Sequence, residues 1–315
     1  MVRVGIIGAG IIAQSHLVAI QQHPDSCLCA IADIAPGRAQ EAAEPYGAAA
    51  YTDYVQMLDT EKPDVVIINL PHFLHESCAL ECAKRGIHTL LEKPMAMTEA
   101  SCQRIIAAFE QSGALLQIGH VQRYIEVNRK AKEIIDSGVL GDLVMLNLYR
   151  TAKYFNPSRP RWFLKKETAG GGMWMNLGAH CLDKTCFLSG STIDSLTGQC
   201  TYAAVPEEAD VDAGAQAFVR LKSGITATVT VCGCNAMVPG EQINIHMTKG
   251  SLRIHGSTLR IYRDGKEEAV DIGEYPAPFV AQWTDFMQGL KQGKVLCNDG
   301  KYAAHIVRHI ESLYK

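Results

Sequence analysis

A chain of 315 residues with 47% hydrophobic and 20% charged side chains is long enough for two domains and has the balance of an ordinary globular protein. Its formal net charge of -3 offers nothing to a nucleic-acid backbone, and no apolar run approaches the roughly eighteen residues a membrane helix needs. A strand pattern starting at Val2 leaves no stretch that reads as a signal peptide, so a cytoplasmic protein without nucleic-acid or membrane partners is expected.

The chain opens with a buried strand, Val2 to Ile7, that runs into Gly8-Ala9-Gly10 and then a helix from Ile11 to Gln22, stopped by Pro24. In such a turn Gly8 permits the tight bend and Gly10 lets backbone N–H groups approach a pyrophosphate. The small Ala13 lets helix pack on strand. Ile11 and Ile12 supply the first turn of that helix. A second apolar run, Cys27 to Ala32, ends in Asp33, about twenty residues beyond Ala13, where a carboxylate can hold the adenosine ribose hydroxyls. An acid there repels a 2'-phosphate and favours NAD, while Arg38 in the next helix leaves NADP open.

Strand and helix then alternate: a helix from Pro36, a strand at Ala48 to Tyr51, and a short helix after Asp53. Next come Val65 to Asn69, a helix near Leu74 to Arg85, Ile87 to Leu91, a helix from Thr98 to Gly113, and Leu115 to Gly119. This predicts a parallel, doubly wound sheet with ligands beyond its carboxyl ends, which singles out the loops Asn69 to His75 and Glu92 to Met97. After a linking helix that ends near Gly138 the pattern changes to strands joined by tight turns: Asp142 to Arg150, Ser195 to Tyr202, Asp212 to Leu221, Ile225 to Cys232, Gln242 to Thr248, Ser251 to His255 and Leu259 to Tyr262. These predict a mostly antiparallel sheet covered on one face by a helix from about Gly172 to Leu188. On Ile225 to Val231, Thr226, Thr228 and Thr230 alternate with apolar residues, so the second face is either solvated or paired with another subunit. Helices at Phe279 to Lys291 and Asp299 to Tyr314 end the chain. The expected domains are residues 1–120, for the dinucleotide, and 121–315, an α+β unit for substrate and assembly.

Eleven cysteines fall mainly on predicted strands and helices and read as small buried hydrophobes. Cys27-x-Cys29 and Cys232-x-Cys234 lack a second ligand pair, so no metal site is expected.

Two clusters could carry chemistry. Glu92-Lys93-Pro94 follows the fifth strand, where a lysine ammonium can stabilise the alkoxide that forms as hydride leaves a carbinol carbon; the spacing alone also fits a solvated loop lysine. The stretch Gly170 to Asp183 places Asn176, His180 and Asp183 on one face of an otherwise apolar helix, where each needs a partner to be buried. His180 has the pKa range to move a proton near neutrality. Before it, Tyr149 to Lys166 is rich in cations and aromatics, Tyr154, Arg159 and Trp162 among them, and would suit an anionic substrate such as a sugar acid or simply face water.

Taken in order and spacing, Gly8-Ala9-Gly10 with Asp33, Pro71-His72-Phe73-Leu74-His75, Glu92-Lys93-Pro94, Gly119-His120-Val121-Gln122-Arg123-Tyr124 and Gly170 to Asp183 make the chain resemble, nearly end to end, the glucose-fructose oxidoreductase and inositol dehydrogenase family, Gfo/Idh/MocA. The resemblance implies a Rossmann domain followed by an α+β domain with an open sheet used in dimers or tetramers. It also implies a nicotinamide dehydrogenase for sugars, polyols and related small hydroxy compounds. Lys93 and His180 would be catalytic, with Asn176, Tyr154 and Trp162 toward the substrate. Gly8, Gly10, Ile11, Ile12, Asp33, Arg38, Pro71, His75, Glu92 and Lys93 would lie toward NAD. Relatives also include NAD-binding sugar regulators and NAD-dependent glycosidases. Two departures stand out. Asn176 occupies a position where the family often has aspartate, so it can hold a hydroxyl but cannot serve as a base, and His72 stands where asparagine is common.

Overall fold

The computed structural model describes residues 1–295 and 297–315. Six strands, β1 (Val2–Ile7), β2 (Ser26–Ala32), β3 (Ala49–Tyr51), β4 (Val65–Ile68), β5 (His88–Leu91) and β6 (Leu116–Ile118), alternate with α1 (Ile11–Gln22), α2 (Arg38–Ala43), α3 (Tyr54–Glu61), α4 (His75–Lys84) and α5 (Glu99–Ser112). They form one sheet in the order β3-β2-β1-β4-β5-β6, with every pair parallel. The all-apolar β4, Val-Val-Ile-Ile, is buried at each residue, as a strand covered by helices on both faces must be. Local chemistry sets the helix ends: the Asp53 carboxylate accepts from Val55 N at the start of α3 and the Thr98 hydroxyl from Ser101 N at the start of α5. Each such cap stabilises by about 1 kcal/mol.

The rest of the chain begins with a 3-10 turn at Val121–Tyr124 and α6 (Glu126–Asp136), followed by β7 (Leu143–Thr151), the short α7 (Lys166–Ala169) and α8 (Ala179–Ser189). Strands β8 (Ile193–Thr201), β9 (Gly214–Leu221), β10 (Thr226–Cys232), β11 (Gly240–Met247), β12 (Gly250–His255), β13 (Thr258–Arg263) and β14 (Lys266–Ala269) follow. Their order is β14-β13-β12-β11-β7-β10-β9-β8, antiparallel except for the central β7–β10 pair. Leu146, Leu148, Val219, Val229, Ile243, Ile245, Leu252 and Ile254 are buried on the face that α6 and α8 cover. On the other face Asn147 donates to the Thr228 hydroxyl at 2.8 Å, and Met145, Tyr149, Phe218 and Tyr262 are exposed.

The last helices are α9 (Pro278–Gln292) and α10 (Gly300–Ser312). The chain divides into two compact units, Met1–Val121 with Pro276–Ala304, and Gln122–Tyr275 with His305–Lys315. Residues 276–304 thus group with the first unit and 305–315 with the second. The reason is packing: Trp283, Phe286 and Met287 of α9 lie in the same core as Leu17, Ile20 and Ile31, and the Trp283 indole donates to the Ser26 hydroxyl at 3.1 Å. Each of the two aromatic side chains is worth about 2 to 3 kcal/mol when buried, which holds α9 on the first unit. Among the described residues no helix is long and apolar enough to cross a membrane.

Candidate active site

In the first unit β1 lies between β2 and β4, so the strand order reverses at its carboxyl end, where a ligand crevice forms in open parallel sheets. Gly8 turns the chain there at φ +92, and a Cβ on it would sit 2.7 Å from the Asn69 carbonyl oxygen, so no other residue fits. A Cβ on Gly10 would meet nothing within 4 Å, and α1 starts at Gly10 without a capping side chain. Its first N–H groups, on the exposed Ile11 and Ile12, are therefore offered to an anion. The buried Asp33 carboxylate accepts from Ala9 N at 2.9 Å and Ala35 N at 2.8 Å, which ties the end of β2 to the glycine turn. Arg38 reaches the same carboxylate at 3.5 Å.

A dinucleotide fits this set on a further observation. Asn69, at the end of β4, has both polar side-chain atoms buried without a hydrogen-bond partner, a cost that an acceptor or donor on the ligand would remove. Its position directly after an apolar strand at the switch point was the available signal for it. Pro71 follows on the same half-buried loop.

The Glu92-Lys93-Pro94 loop leaves the carboxyl end of β5 and is pinned from two sides. Glu92 is buried, its Oε1 is 3.0 Å from His16 Nε2 on α1, and its Oε2 accepts from Lys93 N at 3.1 Å. Burial opposes its charge, but His16 and the Lys93 ammonium outweigh this and hold the carboxyl below the usual range. On the other side His75 is fully buried, with Nδ1 2.8 Å from the Pro94 carbonyl oxygen and Nε2 2.8 Å from that of Leu70. Burial pushes its imidazole below the usual histidine range against the pull of those two carbonyls. Glu92 and His75, expected beside the cofactor, are thus spent on protein groups and position the loop that carries the half-buried Lys93. His16 is a partner that sequence reading passes over, because a lone histidine on an apolar helix face reads as core.

In the second unit the glycines precede one π turn, Trp174–Gly178, that runs into α8. Asp212 organises this entry: fully buried, it accepts from Gly172 N at 2.6 Å, Trp174 N at 2.8 Å and the Tyr314 hydroxyl at 2.6 Å. A Cβ on Gly172 would lie 2.1 Å from the Asp212 carbonyl oxygen, which is why the segment needs glycine. Asn176 sits on the π turn and His180 on α8, both buried to the same degree, with 7% of their surface exposed. The third member of the expected polar stripe, Asp183, is committed to structure, with Arg123 Nε at 2.8 Å. Of the two aromatics expected at the substrate, Trp162 is half-buried and stacks on Phe163 at 3.6 Å between ring centroids, whereas Tyr154 is fully buried behind Arg159. One turn beyond His180, the buried Lys184 pairs with Glu241.

A parallel sheet with an open glycine cradle and an acid at the end of its second strand is the frame of a dinucleotide-binding domain. The chain belongs to the Gfo/Idh/MocA family: residues 2–120 match the oxidoreductase family, NAD-binding Rossmann fold, and residues 128–253 match the GFO/IDH/MocA C-terminal domain. By that family model it is an NAD(H)-binding oxidoreductase. Among curated relatives, 2,7-anhydro-N-acetylneuraminate hydratase of Mediterraneibacter gnavus is 26% identical over 84% of this chain and 70% of that protein. Inositol 2-dehydrogenase of Salmonella paratyphi B is 33% identical over 50% of this chain, which spans only 46% of that relative's length. The crystal structure of aldose-aldose oxidoreductase from Caulobacter crescentus complexed with glycerol has the same fold, with a TM-score of 0.91 and 23% identity over 99% of this chain and 96% of that one.

Proposed function

We propose that the chain interconverts a secondary alcohol and a ketone on a sugar, polyol or closely related hydroxy compound, with Lys93 and His180 as its catalytic residues. The observation that carries this reading is the pinned Glu92-Lys93-Pro94 loop: His16 and His75 hold it from two helices, so the lysine is presented at the carboxyl edge of the nucleotide sheet. The names of the relatives support the substrate class, since they include an inositol dehydrogenase and an aldose oxidoreductase.

Gly8, Gly10 and the N–H groups of Ile11 and Ile12 would hold the pyrophosphate, Asp33 the adenosine ribose, and Asn69 and Pro71 the neighbouring part of the cofactor. Bound NAD supplies the hydride acceptor. Lys93 holds the substrate oxygen and stabilises its negative charge, and His180 Nε2 or Nδ1 takes the hydroxyl proton. Asn176 lacks a basic atom, so His180 is the proton carrier of the pair, and Asn176 holds a hydroxyl.

The test is to mix the protein with NAD and a panel of polyols, sugars and sugar acids and follow NADH absorbance. NADH formation with members of the panel is expected; binding without any turnover would convert the reading to a regulator. The hydratase among the relatives favours a second reading, in which the substrate is oxidised and re-reduced on one tightly held cofactor. That reading gives altered substrate with no net NADH, which product chromatography separates from the first. The assembly we propose is a homodimer or homotetramer joined through the open sheet face, on which Tyr149 and Phe218 are exposed. Light scattering should give a smaller mass for Tyr149→Glu/Phe218→Glu than for the wild type, and an unchanged mass would remove this assembly. Cytoplasmic residence fits the buried thiols of Cys78, Cys82 and Cys181; cell fractionation that finds the protein outside the cytoplasm would overturn it.

A further inference from the structure

The segment after β7 holds a cation that pairs with no carboxylate among the described residues. Arg159 is half-buried, and its guanidinium carbon lies 4.1 Å from the centre of the Tyr154 ring and 4.9 Å from that of Phe163. Its Nε is buried and has no hydrogen-bond partner, and among the described residues no carboxylate pairs with it. Desolvation pulls this guanidinium below its usual range, yet an arginine in a protein keeps its charge, so the site bears a positive charge that no carboxylate among the described residues neutralises.

The loop that presents Arg159 is built rather than loose. Phe155 N donates to the Asn235 side-chain oxygen at 3.1 Å, and the Asn235 amide donates back to the Phe155 carbonyl at 2.9 Å. Tyr154 N donates to the Gly233 carbonyl at 3.0 Å, and a Cβ on Gly233 would lie 2.6 Å from that of Tyr154, so the glycine is what lets the tyrosine in. Tyr154 then links two features: the cation lies over its ring face, and its hydroxyl lies against the Asn176 side chain. Asn176 in turn precedes His180 by one helical turn. The buried carboxylate of Asp212, whose charge acts on Tyr154, is already engaged by Gly172 N, Trp174 N and the Tyr314 hydroxyl.

These contacts give the neutral Asn176 a meaning. An aspartate there would place a fixed negative charge beside the Tyr154 hydroxyl, within the field of Arg159, and would repel an anionic ligand. The amide leaves the guanidinium available, and its planar fork matches a carboxylate in two-point contact. Resting on the proposed oxidoreductase reading, we propose that Arg159 binds a carboxylate of the substrate, so that the compound oxidised is a sugar-type hydroxy acid, an aldonic or uronic acid, in preference to the neutral sugar.

The experiment compares matched pairs, uronic or aldonic acids beside the neutral aldoses and polyols of the same configuration, with NAD and the intact protein. Wild type is expected to favour the acid by about 100-fold in kcat/KM, and Arg159→Ala to lose most of that preference through KM, in line with the loss of a desolvated charge contact. Arg159→Lys should retain part of it as a point charge, and Asn176→Asp should shift preference toward the neutral partner. Equal or better use of neutral sugars by wild type, or an acid preference that survives in Arg159→Ala, would overturn the inference while leaving the oxidoreductase reading in place. If no member of either panel yields NADH or an altered product, the oxidoreductase reading falls. Calorimetric titration of the acids onto NADH-loaded protein then decides the carboxylate site: acid binding lost in Arg159→Ala supports it, and absence of acid binding overturns it.

Discussion

Asp33 shows how one side chain serves fold and function together. Its spacing from the glycine turn marks it as the ribose acid in the sequence, but the structure adds that its oxygens already accept from Ala9 N and Ala35 N. The carboxylate is therefore held in place before any ligand arrives, and it keeps Arg38 partly occupied at 3.5 Å. Asp33→Ala removes a charged acceptor and frees that guanidinium for a 2'-phosphate. Such contacts are worth about 1.5 to 3 kcal/mol, so NAD should bind about 10-fold to 100-fold more weakly while NADP gains. Fluorescence titration with both cofactors checks this, and an unchanged NAD to NADP ratio would show that the carboxylate is not the discriminator. Other residues were not legible. Nothing in the sequence near His16 announces that its partner is Glu92, and Arg159 counts as one of several basic residues until three dimensions show that no acid among the described residues meets it.

At the scale of elements, the helix that carries Asn176 and His180 is anchored by a residue far from it in sequence. Asp212 accepts three hydrogen bonds at the helix entry, one of them from Tyr314 near the end of the chain. Burial pushes this carboxyl above the usual aspartate range, against the pull of those donors. Asp212→Asn weakens acceptance on one side and leaves a buried N–H or hydroxyl short of a partner, for a loss of about 1 to 3 kcal/mol. Tyr314→Phe should also lose about 1 to 3 kcal/mol, since its hydroxyl both donates to Asp212 and accepts from Met175 N. Urea midpoints measure both, and values equal to wild type would contradict the anchor. Strands and helices with clear apolar periodicity were legible to within a few residues. The last strand, β14, was not, because Lys-Glu-Glu-Ala is exposed throughout and has no alternation to read. The π turn was missed for a different reason: its wider winding is imposed by packing, with the Trp174 ring so close to Gly178 that a Cβ there would approach it at 2.4 Å.

The chain divides into two compact units, and the sequence pattern changes near residue 120. Only the buried faces of Trp283 and Phe286 reveal that α9 goes back to the first. Stability as a function of pH is a property at this scale, and His309 contributes to it with a definite sign. Burial, the neighbouring His305 and Arg308 lower its pKa to about 4 from the usual 6.5, against the opposing pull of Asp194. Between about pH 6.5 and 4 the unfolded chain therefore binds a proton that the folded chain does not. The contribution of His309 is fully present above that window and is lost as pH falls through it. His309→Gln should flatten this part of the profile of melting temperature against pH, and a variant curve parallel to wild type would remove the assignment.

The central claim is that hydride transfer in this protein depends on one ammonium and one imidazole. The direct measurement is single-turnover NADH formation from NAD and an accepted substrate in wild type, Lys93→Ala and His180→Ala, with NAD affinity measured alongside. Positioned acid-base groups contribute about 100-fold to 10,000-fold, so both variants should slow by that range with NAD binding intact. Rates near wild type in both would contradict the account.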